Sequence, residues 1–305
     1  MKNHTKLWSL RYVLQVCYNS LAESPKKFQV LAEPRKICKE PWRKTLRAPY
    51  RLYISSVPEP CRSFHATTGL CARSKMASLA VFDFDRTIVD NDSDAVVIDK
   101  LREKQPPPEF EAENCDWTPY MSDVFQHAYS AGLRESDVLS AIASMKPTPG
   151  CIHMMKTLHK AGWHIVLLTD ANTVFVNHWL STHQLEDCVT AVITNRAFWD
   201  QGRLYIEPCM RQTACSRCPT NLCKSLALAQ WCARHQYANI CYAGDGRNDY
   251  CPATNLPAHA TVFPRRGYPL DDLIKKTLAS PTPHVVAKVV PWDSCDTILA
   301  ELIQS

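Results

Sequence analysis

Short apolar runs that alternate with longer amphipathic stretches constrain the fold of this chain more than any other feature. The runs cover residues 79–82, 164–168, 190–193 and 240–243. Runs of this length fit buried β-strands, and the stretches between them are long enough for helices that connect parallel strands. The alternation therefore predicts an α/β fold with a mostly parallel sheet and crossover helices.

The long stretch between the first two runs has a helical periodicity of its own. Amphipathic patterns over residues 121–131 and 135–145 predict two helices, and a turn-prone Lys-Pro-Thr-Pro-Gly sequence follows them. We therefore expect a small helical cap at about residues 93–147. The core of the fold would then consist of residues 76–92 and 148–305.

Residues 1–75 differ in charge from the rest of the chain. They hold 15 Lys and Arg against four acids, whereas residues 76–305 hold 20 against 26. Frequent prolines and the lack of a sustained period predict a disordered extension or a targeting segment outside the fold. Three interpretations stay open: an organellar transit peptide, a flexible basic arm, or upstream sequence that is not normally translated, since Met76 offers a second start. Nucleic-acid binding is not expected, because no aromatic interleaving or known module accompanies the charge.

The overall composition is that of a globular protein, with 46% hydrophobic and 21% charged residues. No run approaches the roughly 20 consecutive apolar residues of a membrane helix, so we expect no membrane span. The fifteen cysteines are scattered through apolar segments, as free thiols are in a reducing compartment. These features predict a cytoplasmic protein, or an organellar one if residues 1–75 act as a transit peptide.

Two acids directly follow the first apolar run. Asp83 and Asp85 lie in the sequence Asp-Phe-Asp-Arg-Thr, so both fall on one face of a strand and emerge at its carboxyl end, where open α/β sheets bind ligands. With this spacing, Asp83 can attack phosphorus while Asp85 protonates the leaving oxygen. Taken alone, the pattern is also explained by a chance Asp-x-Asp.

Three further segments carry polar groups in comparable places. Thr169 ends the second run and offers a hydroxyl to a phosphoryl oxygen, although threonine after a strand is more often a turn or cap residue. Lys224 opens a predicted helix, where its ammonium and the free helix amides can converge on an anion. Asp245 and Asp249 follow the fourth run in a glycine-rich sequence and suit Mg²⁺. An Asp-Gly surface turn is the alternative for that sequence.

In chain order, these segments resemble the four motifs of haloacid dehalogenase-superfamily phosphatases. The resemblance spans roughly residues 79–303. Three sequences are more narrowly similar to the phosphoethanolamine/phosphocholine phosphatase group: Cys-Pro-Thr-Asn-Leu-Cys-Lys at 218–224, Gly-Arg-Asn-Asp-Tyr-Cys-Pro at 246–252 and Pro-Arg-Arg-Gly-Tyr-Pro-Leu at 264–270. That group includes pyridoxal phosphate phosphatases and plant members that act on thiamine phosphate or pyrophosphate.

The resemblance implies a fold and a metal site. It implies a Rossmann-like core with a helical cap inserted after the first motif. It also implies that Mg²⁺ is held by Asp83, by the backbone carbonyl of Asp85 and by Asp245, with Asp249 in support.

The resemblance further implies how the substrate is held. Thr169, which stands where the family usually has Ser, and Lys224 would neutralise and orient the phosphoryl group. Asp94 and Asp170 lie where the family is thought to place carboxylates that face a cationic head group. A helix-capping role is the alternative for Asp94, because short acids often cap helices.

Four cysteines within a fifteen-residue stretch form a second candidate site. Cys209, Cys215, Cys218 and Cys223 include one Cys-x-x-Cys pair, whose spacing suits structural zinc, but the remaining spacings are irregular. In this family we expect a histidine-bearing sequence where this chain has residues 209–214.

Together these observations predict a Mg²⁺-dependent phosphatase that hydrolyses small phosphomonoesters through an aspartyl-phosphate intermediate. The expected substrates are of the phosphocholine, phosphoethanolamine, pyridoxal phosphate or thiamine phosphate class. An inorganic pyrophosphatase that uses the same site is the alternative. A non-catalytic phosphate- or zinc-binding protein is a third interpretation, which the complete set of acids disfavours.

Overall fold

Strands and helices alternate along the described part of the chain. The computed structural model describes residues 54–56, 76–111, 116–279 and 284–304. The strands are β1 (Ile54–Ser56), β2 (Ala77–Phe82), β3 (Trp163–Asn172), β4 (Ala191–Asp200), β5 (Arg203–Glu207), β6 (Tyr237–Gly244), β7 (Thr261–Pro264) and β8 (Lys288–Val289). The helices are α1 (Ser93–Arg102), α2 (Trp117–Ser130), α3 (Glu135–Ala143), α4 (Cys151–Lys160), α5 (Thr173–Thr182), α6 (Lys224–Cys232), α7 (Tyr250–Ala253), α8 (Pro269–Leu278) and α9 (Cys295–Gln304).

The strands form a sheet in the order β1-β4-β3-β2-β6-β7-β8. From β4 to β8 every neighbouring pair is parallel, whereas β1 and β5 each run antiparallel to β4. The predicted α/β fold with a mostly parallel sheet is thus confirmed. The four predicted strands are all present, and each is longer than its apolar run.

Both faces of the sheet are buried under helices. In β2, Ala80 and Phe82 pack into an apolar cluster with α1 to α5 and α9, while Leu79 and Val81 pack on the opposite face with α6, α7 and α8. A strand that is covered on both sides needs apolar residues at every position. This explains why the sequence shows continuous apolar runs rather than an alternation of apolar and polar residues.

The insertion between β2 and α4 contains three helices. The two predicted ones are present as α2 and α3, and α1 precedes them. The helix α2 packs against β5, which forms an antiparallel hairpin with the second half of β4. Periodicity did not predict this hairpin, because β4 is one continuous strand whose first half lies in the parallel sheet and whose second half leaves it. The division into cap and core stays a prediction.

Part of the amino-terminal segment belongs to the sheet. The prediction for residues 1–75 lies outside the described residues except at 54–56, where β1 pairs with residues 191–193 of β4. For these three residues, the expectation of a segment outside the fold is wrong. A short edge strand is held by backbone hydrogen bonds, so it requires no periodic pattern that a sequence could reveal. No helix in the described ranges has the length and apolar content needed to cross a bilayer.

The strand order creates a crevice at the carboxyl edge of the sheet. From β2 the chain continues to β3 on one side, and it later returns to β6 on the other side of β2. The crossover helices on one side of β2 therefore cover one face of the sheet, and those on the other side cover the opposite face. The carboxyl ends of β2 and β6 border the gap between these two sets of helices. Open α/β sheets bind their ligands at such a switch point.

Arg265, directly after β7, holds the loop that follows β2. Its guanidinium donates to the Arg86 carbonyl at 2.6 Å and to Asp90 Oδ1 at 2.6 Å, and it lies 5.4 Å from the centre of the Trp292 ring. Arg86 has a φ of 55°, a left-handed conformation that a residue with a side chain rarely adopts. The clamp thus stabilises a strained turn that begins at the residue immediately after Asp85.

Replacing Arg265 should cost more stability than replacing its neighbour Arg266. We expect Arg265→Met to lower the free energy of unfolding by about 1–3 kcal/mol, because the hydrogen bonds to Arg86 and Asp90 are lost at a mostly buried position. Arg266 pairs with Asp293 at the surface, so Arg266→Met should cost less than about 1 kcal/mol. Urea unfolding of both variants measures the difference, and equal losses would contradict this role of Arg265.

Candidate active site

Asp83 is the first residue beyond the central strand β2, and its side chain is buried. Its N–H donates to the Ala243 carbonyl of β6 at 3.0 Å, which continues the pairing of the two strands to the edge of the sheet. Oδ1 accepts a hydrogen bond from the Phe84 N–H at 2.7 Å. The carboxylate therefore has a fixed orientation at the crevice.

Lys224 connects two acids from different strands. It begins α6, as predicted, and its ammonium donates to Asp83 Oδ2 at 2.6 Å and to Asp249 Oδ1 at 2.7 Å. The side chain is fully buried. Burial alone would lower the pKa of Lys224, but the carboxylates of Asp249, Asp83 and Asp170 outweigh it and raise the pKa above its ordinary value. Lys224 is therefore a permanent cation between the acids.

Asp249 accepts hydrogen bonds on both carboxylate oxygens. Besides Lys224, the Tyr242 hydroxyl donates to Oδ1 at 2.6 Å, and the N–H groups of Asp245 and Gly246 donate to Oδ2 at 3.1 and 3.0 Å. The carboxylate lies so close to Gly244 that any Cβ there would overlap it. This explains the glycine at the end of β6.

Three carboxylates lie close together in this region, and in the described part of the chain the Lys224 ammonium is the one cation among them. Oxygens of Asp83, Asp245 and Asp249 lie within 4.8 Å of one another. Burial and then the charge of Asp249 raise the pKa of Asp245 to about 7. The same two causes raise the pKa of Asp83, and Lys224 opposes them. Closely spaced carboxylates with unbalanced negative charge fit a divalent cation that prefers oxygen ligands.

Asp85 points toward the insertion rather than toward Lys224. Its two oxygens accept from the N–H and the hydroxyl of Ser93, at 2.8 and 3.0 Å, in the first turn of α1. Burial raises the pKa of Asp85 well above its ordinary range, and the charges of Asp92 and Asp94 add to the increase. A carboxyl group with a raised pKa keeps a proton closer to neutral pH, as a general acid requires.

The second predicted motif lies beside the fourth. Thr169 is buried near the end of β3, and its hydroxyl accepts from the Ala171 N–H at 3.3 Å. Asp170 Oδ2 accepts from Asn248 Nδ2 at 2.8 Å, which links this segment to the glycine-rich loop after β6. Burial raises the pKa of Asp170, and the nearby Lys224 ammonium opposes the increase.

Asp94 is buried in α1 and does not cap the helix. Asp92 is the N-cap residue, and its side chain accepts from the Ala95 N–H at 3.0 Å. Asp94 Oδ2 instead accepts from Trp117 Nε1 at 2.7 Å, while its Oδ1 is buried without a hydrogen-bond partner in the described ranges, as is Oδ1 of Asp170. Burial raises the pKa of Asp94 to about 7, and the charges of Asp92 and Asp170 contribute to the increase. The two acids therefore lie near each other.

The structure brings together a cysteine group that differs in one member from the predicted one. The sulfur atoms that lie within 4.8 Å of one another are those of Cys215, Cys218, Cys223 and Cys251. Cys209 is not part of this group; it is buried where its N–H donates to Asn195 Oδ1 at 3.0 Å. Cys251 is in α7, and only the packing of α7 against α6 places it beside the loop.

Sequence reasoning missed several polar partners of the predicted residues. Ser93, Trp117 and Tyr242 bind acids of the site, yet none belongs to a quoted motif. Asn248 was within a quoted motif but had no assigned role. Tyr242 had one available signal, since a tyrosine inside an otherwise apolar strand must find a partner for its hydroxyl.

Known proteins that resemble this chain are phosphatases. The family model described as Putative Phosphatase matches residues 78–305. A protein of the rat, Rattus norvegicus, named pyridoxal phosphate phosphatase is 33% identical over 237 residues, which cover 74% of this chain and 98% of the rat protein. The human phosphoethanolamine/phosphocholine phosphatase is 29% identical, over 77% of this chain and 91% of the human protein.

A plant relative and a solved structure complete the comparison. Inorganic pyrophosphatase 2 of Arabidopsis thaliana is 30% identical, over 73% of this chain and 82% of the plant protein. A HAD family hydrolase from Salmonella enterica serovar Typhi aligns with a TM-score of 0.50 and 13% identity, over 75% of this chain and 72% of the Salmonella chain. The Salmonella hydrolase is similar in fold.

The hydrogen bond from Tyr242 should matter for both stability and activity. We expect Tyr242→Phe to lower the free energy of unfolding by about 1.5–3 kcal/mol, the usual range for a hydrogen bond to a charged group. The value of kcat/KM for phosphate release should also fall, because Lys224 shares the Asp249 oxygen that loses its donor. Urea unfolding and a phosphate-release assay measure the two effects.

Tyr250→Phe is the matched control. Within the described part of the chain, the Tyr250 hydroxyl bonds only to the uncharged Thr277 hydroxyl, so we expect a loss of about 0.5–1.5 kcal/mol and little change in kcat/KM. Equal losses of activity in the two variants would contradict the role of Tyr242.

Proposed function

This chain belongs to the Putative Phosphatase family of haloacid dehalogenase-type hydrolases, and we propose that it is a Mg²⁺-dependent phosphatase of small phosphomonoesters with a cationic organic part. Because its relatives are phosphatases, the chain is a phosphomonoester hydrolase. Its metal, the roles of its residues and its substrate are parts of our proposal. The main support is the Asp83 carboxylate, which lies at the carboxyl edge beside Lys224, Asp245 and Asp249.

In the proposed reaction, Asp83 is the nucleophile. One of its oxygens attacks phosphorus, the bond from phosphorus to the ester oxygen breaks, and an aspartyl-phosphate forms. The departing alkoxide takes a proton from Asp85. A water molecule then loses a proton to Asp85 and attacks phosphorus, which releases inorganic phosphate and restores both carboxyl groups.

The other polar residues hold and neutralise the phosphoryl group. Lys224 is a fixed cation next to the attacking carboxylate, and Thr169 offers a hydroxyl at the neighbouring strand end. Mg²⁺ would be held by Asp83, the Asp85 carbonyl and Asp245, with Asp249 in support, and when bound it would offset the negative charge of phosphate and carboxylates.

Asp94 and Asp170 support a cationic substrate. Each has a buried carboxylate oxygen without a hydrogen-bond partner in the described residues, and a positive group would supply the missing interaction. Trp117, which donates to Asp94, forms an aromatic cluster with Phe110 and Tyr120, with ring centres 4.9–5.1 Å apart. Aromatic rings near an acid are a common environment for ammonium groups.

Inorganic pyrophosphatase activity is the second candidate, because the Arabidopsis relative carries that name. Pyrophosphate has no cationic part, and Asp94 and Asp170 would repel its charges. We therefore expect a higher kcat/KM for a phosphomonoester of an ammonium alcohol than for pyrophosphate.

We also propose a reducing compartment, the cytoplasm. All ten cysteines among the described residues are free thiols; seven of them are buried, and the other three, Cys215, Cys218 and Cys232, pack against an apolar cluster. Residues 1–75 would redirect the protein to an organelle if they act as a transit peptide.

Two variants separate the two steps of the reaction. With 4-nitrophenyl phosphate, whose leaving group needs no protonation, Asp85→Asn should release about one equivalent of nitrophenol per chain in a burst and then turn over 10²- to 10⁴-fold more slowly, about the usual contribution of a general acid-base. Asp83→Asn should give neither burst nor turnover. Stopped-flow absorbance with Mg²⁺ present measures both.

Asp99→Asn is the control, since Asp99 is an exposed acid of α1 that pairs with Arg102. It should behave as the unmodified chain, and circular dichroism should show all three variants folded. Full activity of a folded Asp83→Asn variant would refute the assignment of Asp83 as the nucleophile. Full activity after removal of Mg²⁺ would refute the proposed dependence on that metal.

A neutral isostere tests the role of Asp94. In 3,3-dimethylbutyl phosphate a carbon atom replaces the nitrogen of phosphocholine, so shape and phosphate charge are matched. The pKa of Asp94 lies at about 7, so the group is largely neutral below that pH and attracts a cation above it. We expect the KM of the isostere divided by that of phosphocholine to rise about tenfold between pH 6 and pH 8, equivalent to about 1.4 kcal/mol.

Asp94→Asn should remove this pH dependence, while Asp99→Asn should retain it. Steady-state kinetics over the pH range measure the ratio. A ratio near one at every pH in the unmodified chain would show that charge does not select the substrate, even if the phosphatase activity itself is confirmed.

A further inference from the structure

Four cysteines from two separate segments converge next to the candidate active site. Cys215, Cys218 and Cys223 lie in the loop before α6, and Cys251 lies in α7. Their four sulfur atoms are all within 4.8 Å of one another. None of these sulfur atoms takes part in the proposed phosphoryl transfer, so that reaction does not explain why the four cysteines lie together.

The spacing of the sulfur atoms fits a tetrahedral metal site. Cys215 Sγ and Cys251 Sγ are 3.7 Å apart, and Cys223 Sγ and Cys251 Sγ are 4.0 Å apart. Four thiolates around zinc, each at about 2.3 Å from the ion, are separated from one another by roughly 3.8 Å. We propose that Cys215, Cys218, Cys223 and Cys251 bind one structural Zn²⁺ ion.

Gln212 holds the part of the loop that carries Cys215 and Cys218. Its Oε1 accepts from the Cys215 N–H at 2.9 Å, and its Nε2 donates to the carbonyls of Cys215, Cys218 and Pro219 at 3.3, 3.2 and 2.7 Å. The side chain is only 6% exposed. A buried amide that bonds to the backbone of both residues of a Cys-x-x-Cys pair orients them, as partners of metal ligands commonly do.

The surroundings of the sulfurs also favour negative charge. Arg217 Nη2 lies 4.0 Å from Cys251 Sγ. Zinc binds thiolates rather than thiols, so a cation beside one of the sulfur atoms favours the form that binds the ion.

The ion would connect the two segments that supply the buried ion pair of the active site. Cys223 immediately precedes Lys224, and Cys251 is two residues beyond Asp249. The 2.7 Å contact between the Lys224 ammonium and Asp249 therefore joins residues that lie one and two positions along the chain from proposed zinc ligands. In this arrangement zinc positions Lys224 and Asp249 but does not touch the substrate.

Metal analysis of the full chain tests the proposal. The protein, produced in zinc-supplemented medium without a metal-binding tag, should retain about one zinc per chain after dialysis against metal-free buffer. A mercurial reagent that reacts with thiols should release that zinc. Less than about 0.1 zinc per folded chain, or bound iron in place of zinc, would overturn the proposal.

Single substitutions identify the ligands. Cys251→Ser and Cys215→Ser should lower the zinc content at least fivefold in the folded, soluble fraction. Cys209→Ser and Cys232→Ser should keep one zinc, because these two cysteines lie outside the group. Loss of zinc from Cys209→Ser with retention in Cys251→Ser would overturn the proposed ligand set. If the ligand variants fail to fold, the zinc content of the unmodified chain decides.

Discussion

The buried ammonium of Lys224 is the interaction on which the arrangement of this site depends. It joins Asp83, which follows β2, to Asp249, which follows β6, and both contacts are shorter than 2.8 Å. Removing three charges from water is costly, and the cost is offset only while all three stay together with their hydrogen-bond donors. The pair of strands and the start of α6 are therefore held in one geometry. The charge that Lys224 leaves unbalanced, chiefly on Asp245, is what prepares the site for a cation.

The sheet explains why these groups can meet. Because helices cover both faces, the strands are apolar along their whole length, and polar residues find room only where the strands end. The reversal of strand order at β2 opens the carboxyl edge between helices of opposite faces. Each strand thus has an apolar part that packs in the interior and contributes stability. The carboxylates that can carry the chemistry follow it at the carboxyl edge. The insertion contributes Ser93 and Asp94 to the region in front of that edge.

Much of the fold and part of the site followed from local patterns. Among the described residues, apolar runs marked four of the five inner strands, all except β7. The polar residues after those runs, such as Asp83 and Asp245, had to lie at one edge of a parallel sheet. Lys224 was identified because it opens a predicted helix and because, together with the other segments, it resembles the motifs of a phosphatase family. The edge strand β1 and the β4–β5 hairpin were not predicted. The first has only three residues, paired with β4 at the edge of the sheet, and the second continues an inner strand, so neither produces a distinct periodicity in the sequence.

The sequence by itself determined the α/β class, the order of the motifs and the kinds of chemical groups that the candidate site contains. Only the tertiary structure decided which groups contact one another. It paired Asp85 with Ser93 and Asp94 with Trp117, and it replaced Cys209 by Cys251 in the cysteine group. The physical reason is range: strand and helix patterns arise from neighbours a few residues apart, whereas these contacts depend on how whole elements pack.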